Sequence, residues 1–203
     1  MNLLAHAVFL PHGDPLRMSA SIAGDRIRGP LDSTENAYLH ASVREGVRLH
    51  RALDTLSDSH PALLEAKALF PENNRRFAGV AIDLLGDWVL WRHWKTFRPE
   101  QPWDFVKQCE RNLLASHIQL PGTASEWAKR ILDLHLISAC TSAQGIRTAG
   151  RRVSPRLTQP DGLQSAIETA ITGISSIEPK LLDFFGTARS LMVNSVNGSK
   201  VPQ

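Results

Sequence analysis

Apolar residues recur at steps of three and four through most of this 203-residue chain, and alternation between apolar and polar residues never extends beyond a few positions. Steps of three and four place apolar side chains on one face of an α-helix, whereas a half-buried strand needs alternating apolar and polar residues. The clearest case spans residues 73–96, where one face carries Phe77, Val80, Ala81, Leu84, Trp88 and Trp91. The sequence therefore predicts an all-α fold, a single-domain helical bundle in which residues 73–96 form the central helix.

Prolines, glycines and capping residues set the expected bounds of the other helices. Helices are predicted at residues 2–10, 17–28, 34–56 and 61–70, with proline or glycine in the turns between them. A capping box at residues 123–126 predicts a helix that ends near residue 143, with Gly145 as its C-cap. One or two helices are expected between residues 160 and 194. No repeat or linker divides residues 1–196, so we expect one domain followed by a frayed tail at residues 197–203.

The composition excludes several other classes of protein. Hydrophobic residues make up 42% and charged residues 21% of the chain, which is typical of globular proteins and argues against disordered, collagen-like or coiled-coil chains. The apolar runs are far shorter than the about 20 residues that a membrane-spanning helix needs. The start of the chain lacks the basic residues and small-residue cleavage site of a secretory signal. We therefore expect a cytoplasmic protein with no membrane partner.

Several familiar catalytic and metal-binding motifs are missing from the sequence. Cys109 and Cys140 stand apart in helix-like segments, so they are interpreted as buried thiols rather than as a disulfide framework or a thiolate metal site. There is no glycine-rich phosphate loop, Gly-x-Ser-x-Gly, His-Glu-x-x-His or Cys-x-x-Cys motif. What remains is a site of carboxylates and imidazoles, which suits Mn²⁺, Mg²⁺ or Fe²⁺.

Two pairs of residues have the spacing that such a site needs. His50 and Asp54 are four positions apart, so they share one face of a helix. Asp83 and Asp87 have the same spacing on the predicted central helix, where a cation between them would relieve their mutual repulsion. In an arbitrary protein, ion pairs of these aspartates with Arg76 or Arg92 are the commoner explanation, and spacing alone leaves both interpretations open.

His6 and Asp25 are two further candidates, each in an apolar segment predicted to be helical. A lone histidine on an apolar helix is more often a core residue than a metal ligand. An ion pair with Arg26 or Arg28 would equally explain Asp25.

The chain has 23 basic and 20 acidic residues, which gives a net charge of +3, and most of the basic residues are arginine. Four arginines lie between residues 144 and 160, a stretch with no acidic residue, and their guanidinium groups suit phosphate or carboxylate ligands: Arg147, Arg151, Arg152 and Arg156. A solvated loop is the alternative interpretation. Nucleic acid is not an expected partner, because the chain has one Tyr and no basic run interleaved with aromatic residues.

The order of motifs in the first half of the chain resembles a known family. The motifs are MNLLAH at residues 1–6, AGDRIRG at 23–29, GVRLHRALDTLSDSHP at 46–61, and a central-helix motif at 75–94. Together they are similar to the acyl carrier protein phosphodiesterase family, most strongly over residues 1–95, and LDFF at 182–185 resembles the family's closing helix.

The resemblance implies an all-helical fold distantly similar to HD-type phosphohydrolases and a divalent metal, usually Mn²⁺. It implies hydrolysis by metal-activated water, which removes 4′-phosphopantetheine from the serine of holo-acyl carrier protein. The metal ligands would be Asp25, His50, Asp54 and Asp87, with His6 as a further candidate.

The resemblance also suggests roles around the metal. Asp25, His50, Arg51 and Asp54 would carry catalysis, while Arg51 and the arginines at 147, 151 and 152 would hold the phosphoryl oxygens. A strongly acidic carrier protein is the expected partner, and the basic balance of the chain would steer its approach.

Two positions depart from the family pattern. Trp88 follows Asp87 where the family typically has histidine, and Ala20-Ser21 stand where it typically has Gly-Asn. Loss of a required histidine would leave a weak or inactive member. The alternative functions are therefore an HD-like phosphohydrolase that acts on another phosphodiester or a nucleotide, and a decayed relative that only binds carrier protein. The sequence does not specify an oligomeric state.

Overall fold

The computed structural model describes residues 3–10, 13–154 and 160–196. Within these ranges the chain forms α-helices, short 3₁₀ turns and no strand, which confirms the all-α prediction. The helices are α1 (Ala5–Val8), α2 (Pro15–Ile22), α3 (Ala41–Ser59), α4 (Pro61–Ala68), α5 (Ala78–Arg92), α6 (Trp94–Phe97), α7 (Pro102–Ser116), α8 (Gly122–Asp133), α9 (Leu136–Ala139), α10 (Ala143–Val153), α11 (Pro160–Thr172) and α12 (Ile174–Val196). Arg156 and the expected tail at residues 197–203 lie outside the described residues.

The predicted central helix is present as α5 but is shorter than residues 73–96. Residues 75–77 form a 3₁₀ turn before it, and α5 ends at Arg92, followed by the C-cap His93, whose backbone leaves the helical region. The change of direction buries Trp94, whose indole N–H donates to the carbonyl oxygen of Glu100 at 2.6 Å. α5 packs against α1, α4, α10, α11 and α12, so it lies at the centre of the bundle as expected.

The predicted start of α3 at residue 34 is wrong. Residues 34–36 form a 3₁₀ turn, and α3 begins at Ala41. The N-cap is His40, whose Nδ1 accepts a hydrogen bond from the backbone N–H of Ser42 at 3.2 Å. Histidine is an uncommon capping residue, whereas Ser33 and Thr34 upstream are of the usual capping types and favour an earlier start in the sequence.

The capping box at residues 123–126 and the C-cap at Gly145 are also wrong. α8 begins at Gly122 without a side-chain cap, and Gly145 lies inside α10, where its N–H donates to the hydroxyl of Ser142 at 3.0 Å. A Cβ at Gly145 would lie 1.6 Å from the carbonyl oxygen of Ala139. This glycine therefore permits a close approach between α9 and α10 rather than ending a helix.

The remaining predictions about the core agree with the structure. Cys109 and Cys140 are buried thiols, and burial raises the pKa of Cys109 to about 12. Residues 160–196 form two helices, with Pro179 inside the second. In the part of the chain that the structure describes, no helix has both the length and the apolar character needed to cross a membrane.

Candidate metal centre

Two histidines and one aspartate converge at the junction of α1 and α3. Nε2 of His6 lies 3.3 Å from Oδ1 of Asp54, and Nε2 of His50 lies 3.0 Å from Oδ2 of the same carboxylate. The two imidazole rings stack with their centroids 4.0 Å apart. One donor atom from each residue lies within 4.8 Å of the others, a separation that a single metal ion can bridge. We call His6, His50 and Asp54 the triad.

The backbone fixes the proton position on His50. Its Nδ1 lies 2.7 Å from the carbonyl oxygen of Ser21, and a carbonyl can only accept a hydrogen bond, so Nδ1 carries the proton. This buried Nε2 makes no well-oriented hydrogen bond with any described residue. Because Nδ1 is bound to the carbonyl of Ser21, Nε2 is the ring atom of His50 that could bind a metal ion beside Asp54. The donor set therefore fits a metal ion.

The other two members of the triad also have the protonation states that metal ligands need. Burial lowers the pKa of His6 to about 4, although the carboxylate of Asp54 opposes that shift, so the ring is neutral at pH 7. Burial alone would raise the pKa of Asp54, but the adjacent imidazoles hold it well below its usual range. His6 is thus a neutral imidazole and Asp54 an ionised carboxylate, and Mn²⁺, Fe²⁺ and similar divalent ions bind imidazole and carboxylate donors.

Asp25 lies beside the triad, on the wall of a small cavity of about 70 Å³ that His6, His50 and Asp54 also line. The 3₁₀ turn that carries Asp25 can lie against the ring of His50 because residue 24 is glycine: a Cβ there would be 2.7 Å from Cγ of His50. Oδ2 of Asp25 is also 3.3 Å from Nε of Arg26, so the alternative ion pair is present. Burial raises the pKa of Asp25, and Arg26 opposes this shift. The role of Asp25 as a ligand stays a prediction.

Asp87 also lies outside the triad, in the core of the bundle, and is 0% exposed. Its Oδ1 accepts hydrogen bonds from the backbone N–H groups of Leu4 at 3.0 Å and Ala5 at 3.4 Å. Burial raises the pKa of Asp87 well above its usual range. The side chain therefore anchors the chain segment that presents His6, and its predicted ligand role is untested.

The alternative ion pair between Asp87 and Arg92 does not form. Arg92 instead places its Nε 3.0 Å from Oε1 of Glu178 on α12, and that carboxylate also contacts Nε2 of His93 at 2.8 Å. Glu178 thus ties the end of α5 to α12.

Arg51 follows His50 on α3 and points toward the turn that contains Asp25. Its Nη2 donates to the carbonyl oxygens of Ile27 and Gly29, each at 2.9 Å. These bonds hold the segment after Asp25 against α3. Contact of Arg51 with a phosphoryl group remains a prediction.

The other arginines predicted to bind phosphate lie on α10, and none of them lines the cavities beside the triad. Arg147 makes a two-pronged ion pair with Glu168 of α11, at 2.7 and 2.9 Å. Arg151 donates to a threonine hydroxyl on its own helix, and Arg152 donates to a carbonyl oxygen at the end of α8. The structure therefore does not bring this cluster together with the triad, and its role in substrate binding is untested.

Sequence reasoning missed a larger cavity, of about 260 Å³, that shares His6 and Asp54 with the triad. Its walls come from α3, α4, α5 and α12, and one of them carries Lys67. A single lysine on a short helix has no sequence signal that distinguishes it from a surface residue, and only the packing of four helices reveals its position.

Trp88, at the position where the family typically has histidine, is partly buried and packs against the core. The guanidinium of Arg92 lies 5.3 Å from the centre of its ring.

We expect Trp88→Ala to lower the free energy of unfolding by about 1–3 kcal/mol, which is less than the same substitution costs at a fully buried tryptophan. Denaturant titration measures this change, with Trp88→Phe as the milder control. Mn²⁺ affinity should stay unchanged, and its loss without a change in stability would place Trp88 in the metal site instead.

Comparisons with known proteins identify the same family that the order of motifs resembles. Residues 1–188 match the family described as acyl carrier protein phosphodiesterase. The chain is 28% identical over 195 residues to the acyl carrier protein phosphodiesterase of Enterobacter sp. (strain 638), an alignment that covers 91% of this chain and 94% of the relative. It is 32% identical over 102 residues to the proteins of the same name from Salmonella agona (strain SL483) and Salmonella newport (strain SL254), which covers 50% of each chain. No solved structure gives a significant match. The matched family spans nearly the whole sequence, and the chain belongs to the acyl carrier protein phosphodiesterase family.

Proposed function

We propose that this protein is a metal-dependent phosphodiesterase that removes 4′-phosphopantetheine from the serine of holo-acyl carrier protein. The observation that carries the proposal is the triad: two imidazoles and one carboxylate, with their donor atoms within 4.8 Å of one another. The substrate is proposed from the names of the relatives that the chain matches. Mn²⁺ is the proposed cation, and the fold is proposed to be a distant variant of the HD type.

The reaction is a hydrolysis. The oxygen of water forms a bond to phosphorus, the bond between phosphorus and the serine oxygen breaks, and that oxygen takes a proton. When bound, a divalent cation makes water more acidic and offsets the charge of the phosphoryl oxygens. The products are apo-acyl carrier protein and free 4′-phosphopantetheine.

Several residues of the chain have distinct roles in that reaction. The hydrogen bond from Nδ1 of His50 to the carbonyl of Ser21 keeps Nε2 aimed at the centre of the triad. Asp54 supplies the negative charge between the two imidazoles. Asp25 lines the small cavity and would orient the attacking water, and Arg51 would hold the turn that carries Asp25.

We also propose a partner and a cellular location for the protein. The partner is an acidic carrier protein that an arginine-rich protein can attract electrostatically. The proposed location is the cytoplasm, and the proposed context is fatty acid biosynthesis.

A comparison of substrates tests this function against the alternative of an HD-like enzyme for other phosphodiesters. With Mn²⁺ present, we expect turnover of holo-acyl carrier protein at a kcat/KM at least about 100-fold above that for cyclic nucleotides and bis(p-nitrophenyl) phosphate. Chromatography of the released products measures each rate, and samples with a chelator provide the metal-free control. Faster cleavage of nucleotides than of holo-carrier protein would contradict the proposal.

A further inference from the structure

The 260 Å³ cavity adjoins the triad and shares α1 and α3 with the small cavity that contains Asp25, but its other walls come from different helices. His6 and Asp54 belong to both, so a group bound at the triad has access to the larger space. The other walls come from α4, α5 and α12. The cavity is therefore contiguous with the candidate metal centre.

The lining of this larger cavity combines three kinds of chemistry. Five apolar side chains form much of it: Leu53, Leu63, Ile82, Leu181 and Phe184. Ser57 and Asp58, one turn beyond Asp54 on α3, and Asp83 on α5 add oxygen atoms that can accept hydrogen bonds. Lys67 adds a side-chain amine, and no described residue forms a hydrogen bond or ion pair with it. A ligand that fits has an anionic end, an apolar part and hydrogen-bond donors.

The 4′-phosphopantetheine group has those features in one chain. Its phosphoryl group is anionic, its pantoyl part carries two methyl groups and a hydroxyl, and its two amides offer N–H donors. An unpaired ammonium next to a metal centre is a favourable contact for a phosphoryl oxygen. Resting on the proposed function, we infer that the 260 Å³ cavity receives the phosphopantetheine chain and that Lys67 positions its phosphoryl group.

A larger side chain at Gly79 would fill part of the cavity without contacting the triad. It lies on α5 and lines the cavity, and a Cβ at this position would meet only Cε of Lys67, at 3.9 Å. A leucine side chain there would extend into the space proposed for the ligand. Gly186 on α12 is a matched control, because it is an exposed helical glycine whose Cβ would have nothing within 4 Å.

The experiment measures binding of the product rather than turnover. Isothermal titration calorimetry with free 4′-phosphopantetheine is carried out on the full-length, Mn²⁺-loaded protein and its variants. We expect Gly79→Leu and Lys67→Met each to weaken binding at least about tenfold, while Gly186→Leu binds as the wild type does. Lys67→Arg should restore most of the loss. Mn²⁺ affinity and melting temperature, measured on the same samples, should remain close to the wild-type values.

The possible results separate this inference from the proposed function. Unchanged affinity in Gly79→Leu, or equal affinity of the wild type for inorganic phosphate and phosphopantetheine, would overturn the role of the cavity even if holo-carrier protein is cleaved. Failure of the wild type to bind phosphopantetheine would overturn it as well. Binding that Gly79→Leu and Lys67→Met abolish, in a protein that does not cleave holo-carrier protein, would support the cavity and contradict the proposed function.

Discussion

Asp54→Ala is expected to abolish tight Mn²⁺ binding and to lower the turnover of holo-acyl carrier protein by a factor on the order of 1,000. Asp54 is the only carboxylate of the triad, and its two oxygens face the Nε2 atoms of His6 and His50. Without it, only two imidazoles of the triad remain, which bind a hard divalent cation weakly. Calorimetric titration with Mn²⁺ and the rate of phosphopantetheine release measure the two effects.

A second carboxylate on α3 gives a matched control for this substitution. The side chain of Glu45 is 51% exposed and that of Asp54 is 52% exposed, and each contacts one or more basic groups. Glu45→Ala should therefore leave Mn²⁺ binding and turnover unchanged, with only a small effect on folding. Equal Mn²⁺ affinity in Asp54→Ala and wild type would show that the metal binds elsewhere.

Asp87→Ala is expected to have the largest effect on stability, a loss of about 3–5 kcal/mol in the free energy of unfolding. The substitution removes from the core the carboxylate oxygen that accepts from the N–H groups of Leu4 and Ala5. Each unsatisfied buried N–H costs roughly 1–3 kcal/mol, and the lost side chain leaves a cavity. Urea unfolding monitored by circular dichroism measures the change.

Asp87→Asn distinguishes this anchoring role from a general loss of packing. Asparagine keeps an oxygen that can accept from both N–H groups, so it should lose much less stability than alanine does. Because Asp87 anchors the segment that presents His6, Mn²⁺ affinity should also fall further in Asp87→Ala than in Asp87→Asn. A loss below about 1 kcal/mol in Asp87→Ala would contradict the anchoring role.

The sequence predicted those parts of the structure that depend on local spacing. The period of three and four identified the all-α class and the central helix, and the four-residue spacing placed His50 and Asp54 on one face of α3. Helix ends were less accurate, because the sequence interpretation relied on common capping residues whereas α3 starts at His40 and α8 has no side-chain cap.

The parts that depend on tertiary packing could not be read from the sequence. In the sequence, His6 is only a weak candidate for a metal ligand. The fold places its ring against that of His50. The stretch around Arg147 lacks acidic residues locally, but its partner, Glu168, comes from another helix. The position of Lys67 beside the triad likewise depends on how four helices meet.

The most direct test of the account is the intact mass of holo-acyl carrier protein after incubation with the Mn²⁺-loaded protein. Hydrolysis of the phosphodiester predicts a loss of about 340 Da, the mass of the phosphopantetheine group, and no loss in the presence of a chelator or with Asp54→Ala. An unchanged mass with Mn²⁺ bound to the wild-type protein would contradict the proposed phosphodiesterase activity.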